Sequence, residues 1–314
     1  MRCTANGDSE NENYRYNKKK AKSEKKNGKE DEMKALFGPG GNSEAFYAAG
    51  YKSTLDAPKW VASIGLDAYE YEAGNGLAAS LSTLLEIGKR AKENGIKTSY
   101  HTPYFISLSG VVEEKRLKSI GYIEQSLNAA NALGAKTIVV HTGSAAKITR
   151  DEAMRLAADT LVRTLSSLDT YGIKIGLETM GKINQLGTLD EVIELCRIDS
   201  SLVPVVDFGH MNARELGGAF VGEDDFLRVF DKIDRALGYD VAKNLHCHFS
   251  KIEWTSSGEK RHLTFEDTAY GPDYEPLCRA VSRAGLTPTF ICESAGTQSD
   301  DALLMKKCYE SYGG

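Results

Sequence analysis

From Met33 onward the chain alternates between β-rich runs and helical stretches with little interruption. The eight β-rich runs lie at 34–38, 66–72, 96–101, 136–141, 173–178, 203–207, 243–249 and 288–293. The helical patterns follow them at 55–64, 77–94, 113–133, 150–170, 188–197, 223–237, 274–284 and 300–312. Eight strands that alternate with eight helices predict an α/β fold, specifically a (β/α)8 TIM barrel.

Two local signals support this prediction. Apolar residues recur at helical spacing in 150–170, as expected for a helix that packs one face on a core. Glycines mark the ends of five helical stretches, each shortly before the next strand: Gly95, Gly134, Gly172, Gly238 and Gly285. A doubly wound open sheet is the alternative, but it would place ligands at one switch point rather than along strands three to eight.

The first 32 residues differ in composition from the rest. They contain no Val, Ile, Leu, Phe or Trp, but nine Lys and Arg and seven Asp and Glu. Such a segment buries too little apolar area to offset the entropy cost of ordering, so we expect a disordered charged tail at 1–32. If translation instead starts at Met33, residues 1–32 likewise form no part of the fold. The alternative is that they form a basic arm that binds nucleic acid. Residues 33–314 are then a single TIM-barrel catalytic domain.

Composition excludes several classes of protein. No apolar run approaches the roughly 20 residues that a membrane crossing needs, so we expect a cytoplasmic protein with no membrane association. Six cysteines without paired spacing indicate reduced, buried thiols. The net charge of −5 argues against a generic polyanion-binding surface but permits a local basic groove. No sequence feature points to an obligate protein partner.

All six histidines lie in motifs that end or follow predicted strands, which is where α/β barrels keep their chemistry. Four acidic residues accompany them. The candidate ligands, in chain order, are His101, His141, Glu178, Asp207, His210, His246, His248, Glu259, His262 and Glu293. Imidazole and carboxylate without thiolate suit zinc, with manganese or iron as possibilities. Ten groups are too many for one ion, so two to three are expected at roughly four ligands each. A carboxylate such as Glu178 could bridge two of them and would be the catalytic residue.

The ordered series of motifs resembles the endonuclease IV type of apurinic/apyrimidinic endonuclease, within the xylose-isomerase-like TIM barrel superfamily. The best single stretch runs from His101 to Leu108. The resemblance implies a zinc-binding His101 and a DNA-binding pair, Tyr104 and Phe105, that enters the minor groove at the lesion. It also implies a trinuclear zinc centre and, as partner, DNA that contains abasic sites.

Further motifs carry the same resemblance. His141-Thr-Gly-Ser is similar to the family's second zinc histidine motif, and Glu178 with its Asn-Leu-Gly sequel is similar to the bridging glutamate. Asp207 and His210 match Asp-x-x-His, and Glu293 matches the last-strand glutamate.

The sequence also departs from the family. Strand seven offers two histidines, His246 and His248, where the family has one ligand, and the flanking residues do not decide between them. The family's Asp-x-His for the third zinc is replaced by Glu259-Lys-Arg-His262, which has one extra residue. A family arginine has no counterpart in 72–76.

Two other functions remain open on the sequence. The same superfamily includes sugar isomerases and epimerases with one divalent metal. Glu178, Asp207, a strand-seven histidine and Glu293 also fit their ligand set. A non-catalytic protein that only binds metal or nucleic acid is the third possibility, and it requires that the ligands fail to converge.

Overall fold

The computed structural model describes residues 34–314, so the predicted tail at 1–32 lies outside the described residues. Ten strands and eleven α-helices follow one another along this part of the chain. The strands are β1 (Leu36–Pro39), β2 (Ala68–Glu72), β3 (Lys97–His101), β4 (Thr137–His141), β5 (Lys174–Glu178), β6 (Leu202–Asp207), β7 (His246–Phe249), β8 (Lys251–Thr255), β9 (Gly258–Leu263) and β10 (Thr289–Cys292). The helices are α1 (Glu44–Ala48), α2 (Ala57–Ser63), α3 (Leu81–Glu93), α4 (Glu113–Leu133), α5 (Arg150–Ser167), α6 (Leu189–Cys196), α7 (Phe208–Arg214), α8 (Glu223–Leu237), α9 (Tyr239–Lys243), α10 (Tyr274–Ala284) and α11 (Gln298–Ser311), with a 3₁₀ turn at Thr54–Asp56.

Eight parallel strands form the barrel, in the order β1-β10-β7-β6-β5-β4-β3-β2. Backbone hydrogen bonds join β1 to β2. The amide of Gly41 donates to the carbonyl of Glu70 at 2.9 Å, and the amide of Asp67 donates to the carbonyl of Phe37 at 2.8 Å. The sheet is therefore nearly closed, and the predicted (β/α)8 barrel is confirmed.

The helices cover the outer face of the barrel, and the core lies between the two layers. In α5 the predicted apolar stripe is buried at Ala153, Leu156, Ala157 and Leu161. Cys247 and Cys292 are also fully buried and pack in the same outer layer as Phe249 and Phe290, as strand alternation predicts. Within residues 34–314 all five cysteines are free thiols, and no helix there is long and apolar enough for a membrane crossing.

The region after β7 differs from the prediction. The sequence pattern assigned no strand or helix between 249 and 274, but β8 and β9 form an antiparallel hairpin there. Along β8 the partner residue changes from Arg261 to Glu259 between Glu253 and Trp254, so Lys260 is an extra, bulged residue in β9. The pattern escaped detection because the charged run Glu259-Lys260-Arg261 lacks the apolar alternation of a strand.

Gly38 occupies the closest approach of β1 and β2. A Cβ atom there would lie 1.8 Å from the carbonyl oxygen of Ala68. We therefore expect Gly38→Ala to push the barrel seam apart and to lower the free energy of unfolding by about 1–3 kcal/mol or more, as overpacking does. Urea denaturation followed by circular dichroism measures this change.

Gly121→Ala is the matched control. Gly121 lies within α4 and no atom lies within 4 Å of a Cβ added there. This substitution should stabilise the protein by up to about 1 kcal/mol because alanine is the better helix former. If both variants unfold at the same urea concentration, the close approach at the seam has no energetic weight.

Candidate metal centre

The site is built where the parallel strands end. His101, His141, Glu178 and Asp207 are the last residues of β3, β4, β5 and β6, and Glu293 directly follows β10. Strand register places His141 opposite Glu178. Because the carboxyl ends of parallel strands meet at one edge, these side chains converge without any long loop.

Asp207 organises the next ligand as well. Its carboxylate caps the N-terminus of α7 by accepting a hydrogen bond from the backbone N–H of His210, at 2.7 Å. This turn aims the His210 side chain back at the barrel mouth. There its Nδ1 lies 3.3 Å from Oδ2 of Asp207 and 3.5 Å from Oε1 of Glu178.

The hairpin supplies the last two candidates. Glu259 Oε2 lies 3.5 Å from Nε2 of His210, and His262 joins them in one group. The bulge at Lys260 absorbs the extra residue between Glu259 and His262, so both side chains reach the same side of the hairpin. The hairpin approaches the β5 loop closely at Gly181, where a Cβ atom would lie 2.6 Å from the Cβ of Glu259.

Glu178 is the residue on which most of the site converges. Its Oε2 lies 3.1 Å from Nε2 of His141 and 3.6 Å from Nε2 of His101. Its Oε1 lies 3.1 Å from Nδ1 of His248. Each carboxylate oxygen therefore faces a different set of imidazoles, as a bridging carboxylate requires.

Three groups of potential ligands, of the five found among residues 34–314, consist only of sequence-predicted residues, each group with donor atoms within 4.8 Å of one another. The groups are His101, Glu178 and His248; Glu178, Asp207, His248 and Glu293; and His210, Glu259 and His262. His141, 3.1 Å from Glu178, adjoins the first group. Nine of the ten sequence-predicted residues are thus brought together at the barrel mouth, and the tenth, His246, belongs to a separate group with Glu70 and His248.

The strand-seven histidines have different environments. His248 is fully buried among Glu178, Asp207 and Glu293. His246 instead contacts Glu70, at 2.9 Å from Nε2 to Oε2. Of the two alternatives that the sequence left open, the geometry favours His248 as the ligand that joins the carboxylates of β5, β6 and β10.

Sequence reasoning missed two acidic residues of the site, Glu70 and Glu72 on β2. Glu70 is fully buried, and both belong to a further group with Glu293. Their sequence, Ala-Tyr-Glu-Tyr-Glu, alternates apolar and charged residues as a half-exposed strand does. In this barrel the charged face is the interior, so the alternation was visible but its direction was not.

Backbone carbonyls fix two of the imidazole rings. Nδ1 of His101 lies 2.9 Å from the carbonyl of Thr102, and Nδ1 of His210 lies 3.0 Å from that of Thr179. A carbonyl only accepts, so each Nδ1 carries the proton and each Nε2 is free to bind a cation. In His101 the free nitrogen faces Glu178, and in His210 it faces Glu259.

The charges of the site are strongly coupled. Burial opposes ionisation of Glu178, but interactions with the four surrounding histidines hold its pKa well below the usual range. Burial raises the pKa of Glu293 to about 8; His248 opposes this shift, and Glu178 adds to it. Burial likewise raises the pKa of Glu72 to about 7, against the effect of His101. The protein has gathered more negative charge here than ionised carboxylates alone can tolerate.

The residues fit divalent cations. Oε2 of Glu178 and Oδ2 of Asp207 are buried and make no hydrogen bond. None of the ion pairs formed by the site carboxylates within residues 34–314 involves Lys or Arg. Buried carboxylates without such partners are costly unless they coordinate metals, and nitrogen with oxygen donors suits zinc, manganese or iron.

Tyr104 and Phe105 follow β3 and stand beside this centre. Their side chains are 56% and 51% exposed, which excludes a core role for Phe105. The ring of Tyr104 stacks on His141 with centroids 5.5 Å apart, and Phe105 packs edge-on against Tyr122 at 4.7 Å. The exposed pair therefore borders the metal centre.

Two sequence relatives cover more than half of the chain. An uncharacterized protein of Methanocaldococcus jannaschii is 32% identical over 228 residues, 71% of this chain and 81% of that protein. A protein of Acholeplasma laidlawii named probable endonuclease 4 is 27% identical over 198 residues, 60% of this chain and 65% of that protein.

Solved structures of two kinds of enzyme share the fold of this chain. Endonuclease IV from Thermus thermophilus superposes with a TM-score of 0.60 at 17% identity, over 88% of this chain and 98% of that one. A 3-keto-D-glucoside 4-epimerase from E. coli superposes with a TM-score of 0.63 at 17% identity, over 88% and 100% of the two chains.

The sequence model of one family covers most of the chain. It is the xylose isomerase-like TIM barrel, and it matches residues 58–308. This match spans seven of the eight barrel strands and every candidate ligand. The chain therefore belongs to the xylose isomerase-like TIM barrel family.

Proposed function

We propose that this protein is a metal-dependent DNA phosphodiesterase, an apurinic/apyrimidinic endonuclease of the endonuclease IV type that acts in base excision repair. The observation that carries the proposal is the division of the candidate ligands into two groups that share Glu178 and a third group at His210, rather than one group. Relatives named probable endonuclease 4 support the same reaction class. We infer cleavage on the 5′ side of an abasic site.

Each cluster would hold one ion, zinc being favoured by the number of imidazoles. Glu178 would bridge the first two ions, with His101 and His141 on one side and Asp207, His248 and Glu293 on the other. His210, Glu259 and His262 would hold the third. Bound together, such ions polarise phosphate oxygens and lower the pKa of water, which supplies a nucleophile at neutral pH.

The protein's own contribution is geometric and electrostatic. The carbonyls of Thr102 and Thr179 hold two imidazoles in the tautomer that leaves Nε2 free. Glu178, 1% exposed, provides a fixed charge in a pocket from which water is largely excluded. These groups would position a phosphodiester rather than form a covalent bond with it.

Selection of the lesion would come from the exposed aromatic pair. Extrusion of a nucleotide costs a few kcal/mol and costs least where no base is paired. Tyr104 and Phe105 border the centre with half of their surface free, so they could fill the gap that the missing base leaves in the stack.

A sugar isomerase or epimerase is the second candidate. It is favoured by one observation: Glu178, Asp207, His248 and Glu293 alone form a complete four-ligand group for a single divalent ion. That reaction gives no role to the third cluster at His210 or to the exposed Phe105, which is why we prefer the phosphodiesterase.

The number of bound ions separates the two candidates. We expect two to three ions per chain, mainly zinc, in elemental analysis of purified protein, since roughly four ligands bind each ion. The double variant Glu259→Gln/His262→Gln should lose one ion and keep the others. One ion per chain that persists in this variant would instead support the isomerase.

Glu178→Gln tests the bridging role. The substitution keeps the shape but removes the charge between two cations. We therefore expect cleavage of an abasic duplex to fall roughly 100-fold or more, as when one transition-state contact is lost. Single-turnover cleavage measured on gels gives the rate constant.

Glu253→Gln serves as the control, because Glu253 pairs with Lys260 and Arg261 on the hairpin and belongs to none of the ligand groups. It should cleave at the parent rate, and both variants should retain the parent's circular dichroism spectrum. Near-parent cleavage by Glu178→Gln would remove this residue from the mechanism.

The aromatic pair is tested by binding. Base–aromatic contacts contribute about 1–3 kcal/mol each, so Tyr104→Ala/Phe105→Ala should weaken binding to an abasic duplex about 10- to 1,000-fold. Metal content should not change, since neither residue is among the candidate ligands. Fluorescence anisotropy gives the affinity, measured in EDTA-free buffer with an abasic duplex whose target phosphate cannot be cleaved.

Tyr239→Ala is the matched control, since Tyr239 is also 49% exposed but lies in α9, which precedes β7 and so sits at the opposite end of the barrel. Its affinity should equal that of the parent. Equal affinity of the parent for abasic and intact duplexes would refute lesion recognition.

A further inference from the structure

Glu70 connects the two strand-seven histidines inside the barrel. Its Oε2 accepts a hydrogen bond from Nε2 of His246 at 2.9 Å, and its Oε1 lies 2.9 Å from Nε2 of His248. Strands β1 and β10 separate β2 from β7 in the barrel wall, so the contact crosses the interior. Glu70 is 0% exposed, and within residues 34–314 its only ion-pair partners are the two histidines.

The ring of His248 is thereby held at both nitrogens. Nδ1 lies 3.1 Å from Glu178 and 3.4 Å from Glu293, inside the proposed second metal group. Nε2 points away from that group toward Glu70. A neutral imidazole that binds a cation through Nδ1 carries its proton on Nε2, and this proton then needs an acceptor.

Glu70 is that acceptor by position. Oε1 of Glu70 and Nε2 of His248 are both buried, neither makes a well-aligned hydrogen bond to any group in this structure, and the two atoms lie 2.9 Å from each other. Carboxylates that accept the second N–H of a ligating histidine fix its ring and raise its basicity, and their loss typically weakens metal binding about 10- to 100-fold.

His246 has a supporting place in the same arrangement. It occupies Oε2 of Glu70, which leaves Oε1 directed at His248. Glu70, His246 and His248 also lie close enough to one another to form a cation group of their own. However, Glu70 is hydrogen-bonded to His246 at 2.9 Å, and its other oxygen lies 2.9 Å from His248, which is within hydrogen-bonding distance. The contacts favour a hydrogen-bonded clamp over a further ion.

We propose that Glu70, held by His246, is a positioning residue that orients His248 with Nδ1 toward Glu178, Asp207 and Glu293 and so raises the affinity of this group for a divalent cation. The proposal rests on the metal centre of the proposed function but gives His246 a role other than that of a ligand. It assigns a function to a buried carboxylate that the phosphodiesterase reaction does not use.

The test measures zinc affinity rather than activity. Zinc competition between a chromophoric chelator and the protein gives the dissociation constants for the parent, Glu70→Gln and His246→Gln. In Glu70→Gln we expect one ion to bind about 10- to 100-fold more weakly, whereas the dissociation constants of the other ions stay as in the parent. His246→Gln should weaken the binding of the same ion by a smaller factor. At saturating zinc, elemental analysis should find the parent number of ions in both variants.

A spectroscopic readout separates positioning from packing. In the zinc-loaded parent, proton NMR should show low-field imidazole N–H signals from the two histidines that face Glu70. The signal of His248 should disappear or move in Glu70→Gln, whereas Glu253→Gln should leave signals and affinities as in the parent. Thermal unfolding of the metal-free proteins should be similar, because the clamp acts on the metal-bound state.

Three results would overturn the proposal. Zinc constants equal to the parent's in both variants would show that Glu70 does not act through His248. A fall in metal-free stability with unchanged zinc constants would make the residue purely structural. Loss of a whole ion at saturating zinc would make Glu70 a ligand. A parent that binds zinc but cleaves no abasic DNA would refute the proposed function and leave the Glu70 test valid.

Discussion

Buried negative charge is the constraint around which this barrel is organised. Six carboxylates lie at or just inside its mouth: Glu70, Glu72, Glu178, Asp207, Glu259 and Glu293. Within residues 34–314 their ion pairs are with histidines, never with Lys or Arg. An isolated buried carboxylate is costly, and a histidine offsets that cost only while it is protonated. A cation offsets it at any pH at which its ligands are ionised. Cations bound at this site would therefore stabilise the fold.

The candidate ligands also explain local features that have no other evident purpose. Asp207 both caps α7 and faces the cluster, so one carboxylate sets the direction of His210. The glycine at 181 lets the hairpin reach the β5 loop, which brings Glu259 within 3.5 Å of His210. The strand ends place one half of the centre, and a helix cap with a hairpin places the other half. Rigid elements hold the first half, which suits residues that must keep their positions to within fractions of an ångström.

Much of this could be predicted from the sequence, for physical reasons. Strand and helix periodicity indicated the barrel, and parallel strands bring their carboxyl ends together, so ligands at those ends had to converge. Three features could not be predicted. The side toward which Glu70 and Glu72 point depends on barrel closure, since the same alternation fits an exposed face. The choice between His246 and His248 depends on register across the barrel. The bulge at Lys260 depends on pairing within the hairpin, which the charged sequence does not reveal.

The family includes enzymes that act on sugars and enzymes that act on DNA, and one barrel mouth can serve both because the fold fixes only the strand ends. Glu178, Asp207, His248 and Glu293 lie on those strand ends and fit either chemistry. The two kinds of enzyme differ in what surrounds these four residues. A small sugar needs an enclosed pocket, whereas a duplex needs an open mouth, additional cations for its phosphates and exposed groups for its stacked bases. Here His210, Glu259 and His262 enlarge the centre on one side, and Tyr104 and Phe105 stand exposed on another. The additional group of candidate ligands and the exposed Phe105 support the phosphodiester substrate that we propose, since a one-metal isomerase requires neither.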